Sequence, residues 1–292
     1  MEPADRALAL LGVDSELTAR SLFQIVEGLP DFRYRIMEIE EFKQIQRDSL
    51  SSGMRIYWRE MLYRAHWAST ASLIRSHRWL SGLTEAHAQG NLMTFAASCR
   101  GLLESAADTN DALNLMPTAL AEFSATIAQA VAGRLERPVV SPRLEDLLLH
   151  FTHARKSKGD ELDAVLRAKT VAQYLSDLKE ADPEIGEVYA ALCEIVHAGA
   201  TSVLAYSIAT EDRDVVVSQS LEPAILERYR GAFVRVAPTA LAYGTLPAMF
   251  TLKVLNLFDL AEVRTPGVDG LLEDLQVWGR IQKLVAESSE TA

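Results

Sequence analysis

Two short stretches hold the side chains best suited to chemistry: Arg100-Gly-Leu-Leu-Glu104 and Tyr189-Ala-Ala-Leu-Cys-Glu-Ile-Val-His197. Both read as helix. At about 100° per residue, Leu92, Phe95, Cys99, Leu102, Leu103 and Ala106 share one face, and Arg100, Glu104 and Asp108 form a strip beside it. In 184–198, Ile185, Tyr189, Leu192 and Val196 make the apolar face, with Cys193 and His197 on its border and Glu194 a little further round. If the two helices pack together, Arg100, Glu104, Glu194 and His197 converge. In such a set His197 exchanges a proton near neutral pH, Arg100 clamps an anion or phosphate, and the carboxylates orient them. The plainer reading is a solvated i,i+4 pair between Arg100 and Glu104 and a core histidine with satisfied nitrogens.

A second constellation lies in 55–79. Arg55, Arg59, Arg64, Arg75 and Arg78 face only Glu60, with Tyr57, Trp58, Tyr63, Trp67 and Trp79 interleaved. Arginines with aromatics hold phosphates and stack bases, which makes Arg55, Arg59, Arg64, Trp67, Arg75 and Arg78 candidates for nucleic-acid binding. The competing reading puts the aromatics in a core and pairs the arginines with acids elsewhere. Metal chemistry has little support. Glu194-Ile-Val-His197 is a single Glu-x-x-His where a di-iron bundle needs two plus further glutamates. His150 and His153 have no cysteine or carboxylate at ligand spacing. With no glycine-rich phosphate loop, nucleophile elbow or Cys-x-x-Cys, no metal or cofactor is expected.

The elements that must position these residues are mostly helices. A short amphipathic helix is expected at 16–28. A long one from Asp31 carries Phe32, Ile36, Ile39, Phe42 and Ile45, until Ser51-Ser52-Gly53 breaks it. Further helices are expected at 55–77 and on to 87, at 92–113, from Pro117 to near Gly133, and at 143–154. The charged segment 155–163 reads as a flexible, protease-sensitive loop. Helices return at 164–180 and 184–198. Residues 202–209 and 215–218 flank the polar turn Glu211-Asp-Arg-Asp214 and suggest a hairpin, although 202–209 could equally continue as helix. The set closes with 222–243, 247–263 and 270–287. The uncharged run 236–252 contains Pro238, Gly244 and Pro247 and is short for a membrane span, so it reads as a buried, proline-broken helix pair. The expected fold class is all-α: one multi-helix bundle over 1–292, with room for one small β-hairpin near 202–218. Within it lie N-terminal helices over 1–54 and C-terminal helices over 222–288.

The bulk numbers fit that picture. The 292 residues are 49% apolar, with a mean hydropathy of +0.04, as in ordinary globular chains. The net charge of −11 argues against a general nucleic-acid coat protein but not against a local basic site. Cys99 and Cys193 read as buried free thiols of a reducing compartment. The N-terminus lacks a secretory pattern, so a cytoplasmic location with no membrane association is expected.

Arg100-Gly-Leu-Leu-Glu-Ser105, Pro142-Arg-Leu-Glu-Asp-Leu-Leu-Leu-His-Phe-Thr-His153 and Leu192-Cys-Glu-Ile-Val-His197-Ala-Gly together resemble an uncharacterised bacterial group of HEPN-like helical proteins. The resemblance covers about residues 55–210. It implies a helical, often dimeric domain of the kind that cuts RNA in toxin–antitoxin and phage-defence systems, with His197 at the family's histidine. The family's ribonuclease signature has four to six residues between an Arg and that His. Here Ala190, Ala191, Leu192 and Cys193 stand before His197, and Arg100 from the neighbouring helix is the available substitute. Two functions are therefore expected: a HEPN-like module that binds or acts on RNA or nucleotide as a homodimer, or a non-enzymatic helical protein that works by dimerisation or by binding a protein partner.

Overall fold

The computed structural model describes residues 3–156, 163–212 and 214–290. Its helices in chain order are α1 (Pro3–Leu11), α2 (Glu16–Glu27), α3 (Ile39–Asp48), α4 (Leu50–Ala88), α5 (Leu92–Leu113), α6 (Met116–Glu122), α7 (Ser124–Val131) and α8 (Pro142–His153). They continue as α9 (Val171–Tyr174), α10 (Ser176–Ala181), α11 (Glu184–Val196), α12 (Ala200–Leu204), α13 (Glu222–Leu255) and α14 (Gln276–Glu290). Strands β1 (Ser207–Ala209) and β2 (Val215–Val217) pair antiparallel, with Ile208 opposite Val216. The all-α expectation with one small hairpin is met, and α12 takes the first residues of the segment that could have been either strand or helix.

The chain divides into two compact units, one of residues 1–23, 73–111 and 170–246, the other of 24–72, 112–169 and 247–292. The first has its own core, in which Leu22, Leu80, Phe95, Leu102, Leu192 and Phe233 are buried. The second buries Met54, Trp58, Leu62, Ile127, Leu148 and Ile281, and in it α14 packs on α6 and α7. The Trp58 indole N–H donates to the Val139 carbonyl at 2.9 Å, so this large side chain is buried without an orphan donor.

Several expected elements differ from those observed. The helix expected from Asp31 starts only at Ile39, and residues 31–38 are not helical. Phe32 and Tyr34 alternate along the segment and both meet the buried His66, with ring centroids 4.5 and 5.8 Å away. The Met37 N–H donates to the Glu60 carboxylate at 2.6 Å. Two-residue alternation toward α4 therefore overrides the helical period. The break expected at 51–53 falls instead at Ser49, which is extended, and α4 runs unbroken from Leu50. Gly53 serves this corner differently: a Cβ there would lie 3.0 Å from Gln46, so its missing side chain lets α3 fold back on α4.

The proline-broken pair expected at 236–252 is the interior of one helix, α13. An interior proline costs about 3 kcal/mol. Val236, Ala237, Ala240, Leu241, Ala248, Met249, Phe250 and Leu252 are all buried along this stretch. At about 1.5–3 kcal/mol per large side chain, that burial outweighs two prolines. The helix expected at 164–180 is reduced to a 3-10 turn at Ala164–Leu166 followed by α9 and α10, and Ala261–Val263 is likewise a 3-10 turn rather than the end of a helix. Residues 157–162 of the expected loop 155–163 lie outside the described residues. At its edges the Arg155 N–H donates to the Leu166 carbonyl at 3.0 Å.

Candidate functional site

Arg100 and Glu104 sit one turn apart on α5, and both are half-buried. Leu102 and Leu103, fully buried between them, fix the face on which the pair stands. The Arg100 Nε–H donates to Glu104 Oε1 at 2.8 Å, and the Tyr189 hydroxyl of α11 donates to the same oxygen at 2.6 Å. The Arg100 guanidinium also lies 6.0 Å from the centre of the Tyr189 ring. His197 caps the C-terminal end of α11 with an extended backbone, and its Nε2 is 3.1 Å from Arg100 Nη1. A guanidinium can only donate. In this contact Arg100 therefore donates and His197 Nε2 accepts.

The electrostatics follow from these contacts. Arg100 is held above its ordinary range mainly by the hydrogen bond to Glu104, against a smaller opposing effect of burial. Burial first, and then the bond to Glu104, pushes the Tyr189 phenol up, so it remains a donor. A partly exposed i,i+4 ion pair contributes about 0.5 kcal/mol, too little to account for the arrangement as a stabilising device. Its main effect is positional: Glu104 receives two donors and aims the guanidinium at the exposed His197 ring.

Of the four expected residues, the structure brings Arg100, Glu104 and His197 together. Glu194 lies further round α11, exposed; the Tyr229 phenol is raised mainly by burial, with a smaller contribution from the Glu194 charge. The wheel position of Tyr189 puts it on the apolar face, and the hydroxyl at its tip is what makes it part of the site. Asp108, the third member of the α5 strip, pairs with Arg75 at 2.6 Å.

The side chains of the arginine–aromatic segment meet different partners. Arg75 is engaged by Asp108, the Ser105 carbonyl and Thr109. Arg59 reaches Glu262 at 2.8 Å and the Tyr63 hydroxyl at 2.9 Å. Trp58 is core, and Trp67 makes an edge contact with His153. Arg55 and Arg78 are exposed and Arg64 is half-buried. His150 places Nδ1 2.8 Å from the Val165 carbonyl. Among the described residues no group of three or more His, Cys, Asp or Glu is arranged to hold a metal ion. Among them, too, no helix is long and apolar enough to cross a membrane. Cys99 and Cys193 are free thiols, the first fully buried, which raises its pKa, and the second half-buried.

Gly101, beside Arg100, has a reason of its own. A Cβ at this position would stand 2.6 Å from the ring of Trp79, which is itself 38% exposed. Gly101→Ala is expected to swing that indole outward rather than distort α5. The predicted signature is a red shift in tryptophan emission that disappears in a Trp79→Phe background, with a stability loss of only about 1 kcal/mol. An unshifted spectrum would contradict this packing.

No protein-family model, curated protein or solved structure matches the chain.

Proposed function

We propose that the chain is a HEPN-like module that acts on RNA, with His197 and Arg100 as its reacting pair. The observation that carries this reading is the 3.1 Å approach of Arg100 to an exposed histidine across two helices, with Glu104 and Tyr189 fixing the arginine from behind. It supplies from a neighbouring helix the arginine that α11 itself lacks. A phosphate entering the pair gives Arg100 a better acceptor than a neutral imidazole and frees His197 Nε2. His197 then takes the proton of a ribose 2′-hydroxyl as the 2′-oxygen bonds to phosphorus. The bond to the 5′-oxygen breaks, and the proton is returned to that oxygen. Arg100 stabilises the charge that develops on the phosphoryl oxygens.

The test is incubation of mixed cellular RNA with the native chain, His197→Ala and Arg100→Ala. Removal of a positioned base or of a charge-stabilising donor is expected to slow cleavage at least about a hundredfold. Intact RNA with all three proteins removes the nuclease reading. A second reading, action through a protein partner or a second copy, is favoured by the hairpin region. Val215 and Val217 of β2 are 67% and 77% exposed, and Val203 and Leu204 of α12 are exposed as well. Apolar strand edges of this kind invite pairing with another chain.

A further inference from the structure

The cleft between residues 35–37 and the start of α4 goes beyond the Arg100–His197 reading and stands on other residues. It has a volume of about 500 Å³, within the range of small-ligand sites. Three guanidinium groups line it, Arg35, Arg55 and Arg59, against two carboxylates, Glu41 and Glu60. Arg59 is held in place by Glu262 and Tyr63. Glu60 is committed to the Met37 N–H, which also ties one wall of the cleft to α4. Arg35 and Arg55 are different: among the described residues neither has an ion-pair partner, in a chain with 40 acidic residues and 29 basic ones. Two exposed arginines that leave so many carboxylates unused, on the rim of a preformed cleft, form a fork for an anion from outside. Glu41 adds an acceptor for hydroxyl or amino groups, and Met37 and Ile56 add apolar wall.

We propose that this cleft binds a nucleoside monophosphate: Arg35 and Arg55 take the phosphate, Glu41 accepts from the sugar or base, and Met37 and Ile56 contact the base. The pattern fits a ligand with an anionic end, several donors and one flat apolar face.

Titration calorimetry on the full chain tests it with four probes: AMP, adenosine, pyrophosphate and inorganic phosphate. AMP is expected to bind saturably at micromolar to low-millimolar concentration, more tightly than any of the other three. Arg35→Ala and Arg55→Ala are each expected to weaken AMP about tenfold, as for loss of a charge-assisted hydrogen bond. Arg280→Ala, which removes the same charge from the exposed face of α14, should leave it unchanged. Both cleft arginines are exposed, and a thermal melt of each variant verifies folding. Absence of AMP binding at millimolar concentration overturns the proposal, as does binding that survives the double variant. Adenosine binding as tightly as AMP overturns the phosphate contact, and pyrophosphate binding as tightly overturns the nucleoside part. These outcomes are independent of RNA cleavage, so a chain that cuts no RNA can still bind AMP here.

Discussion

Lys253→Met is expected to destabilise the protein by about 3 kcal/mol, the cost of leaving buried acceptors without their cation. Lys253 lies in α13 and is almost completely buried. Its ammonium donates to the carbonyls of Asp269 and Leu271 and to the Glu273 carboxylate, and it stands 4.3 Å from the centre of the Trp278 ring. Three donors thus meet three acceptors, and the ring face takes part of the remaining charge. Glu273 in turn accepts from the Trp278 indole N–H at 2.9 Å. The segment these bonds strap down includes Leu272, a non-glycine residue with a φ of 59°, a conformation that local preference alone would not choose. Methionine keeps the volume and removes every donor. Equilibrium urea unfolding of Lys253→Met should give a clearly lower midpoint. A midpoint within a few tenths of a kcal/mol of the native chain would show that the strap contributes nothing. The Lys253 bond also holds the Glu273 carboxyl below its usual range. The stability that Glu273 contributes is present at neutral pH and is lost in acid, below about pH 4.5.

Stability should also fall by about 3 kcal/mol between pH 6.5 and pH 4, through His66. Burial pushes this histidine from 6.5 down to about 4. Its Nδ1 is 2.6 Å from the Tyr34 hydroxyl and its Nε2 is 2.8 Å from Thr265 Oγ1. Each hydroxyl can donate or accept, so the neutral ring satisfies both nitrogens without a charge. Burial likewise pushes the Tyr34 phenol up to about 12, so Tyr34 remains protonated throughout. The sign follows from the order of proton binding. The unfolded chain takes up its proton near 6.5 while the folded chain refuses it until about 4. Stability is therefore full above 6.5, declines as the pH falls, and stops changing on this account below 4. Urea midpoints measured in steps from pH 7 to pH 4.5 should fall over that window, above the range in which the Glu273 and Glu262 contributions are lost. A flat profile down to pH 4.5 would show that His66 is not buried as described.

Much of the site could be read from residue spacing. Arg100 and Glu104 are four residues apart on a helix whose buried face is marked by Leu102 and Leu103, so their shared strip follows from helical geometry alone. His197 follows in the same way from the border of α11. The tip of Tyr189 did not, because a wheel assigns a residue to a face and a tyrosine belongs to two: an apolar ring and a polar hydroxyl. Arg35 in the cleft has no signal of its own, since the helical period expected from Asp31 covers the segment that carries it.

What the sequence determined by itself is the all-helical class, most of the longer helices and room for one hairpin near 202–218, because periodicity and turn residues are local properties. Tertiary structure decided where the local signals were weak or opposed. Pro238 and Pro247 stay inside α13 because buried apolar neighbours on both sides outweigh their cost. Residues 31–38 leave the helical region because Phe32 and Tyr34 find His66, and Met37 finds Glu60. The pairing of individual arginines was decided the same way. Arg75 meets Asp108, Arg100 meets His197, and Arg35 and Arg55 are left facing a cleft. One-dimensional spacing cannot distinguish these fates, because a charge is satisfied by whatever residue the fold brings within about 3 Å, however far away it lies in the chain.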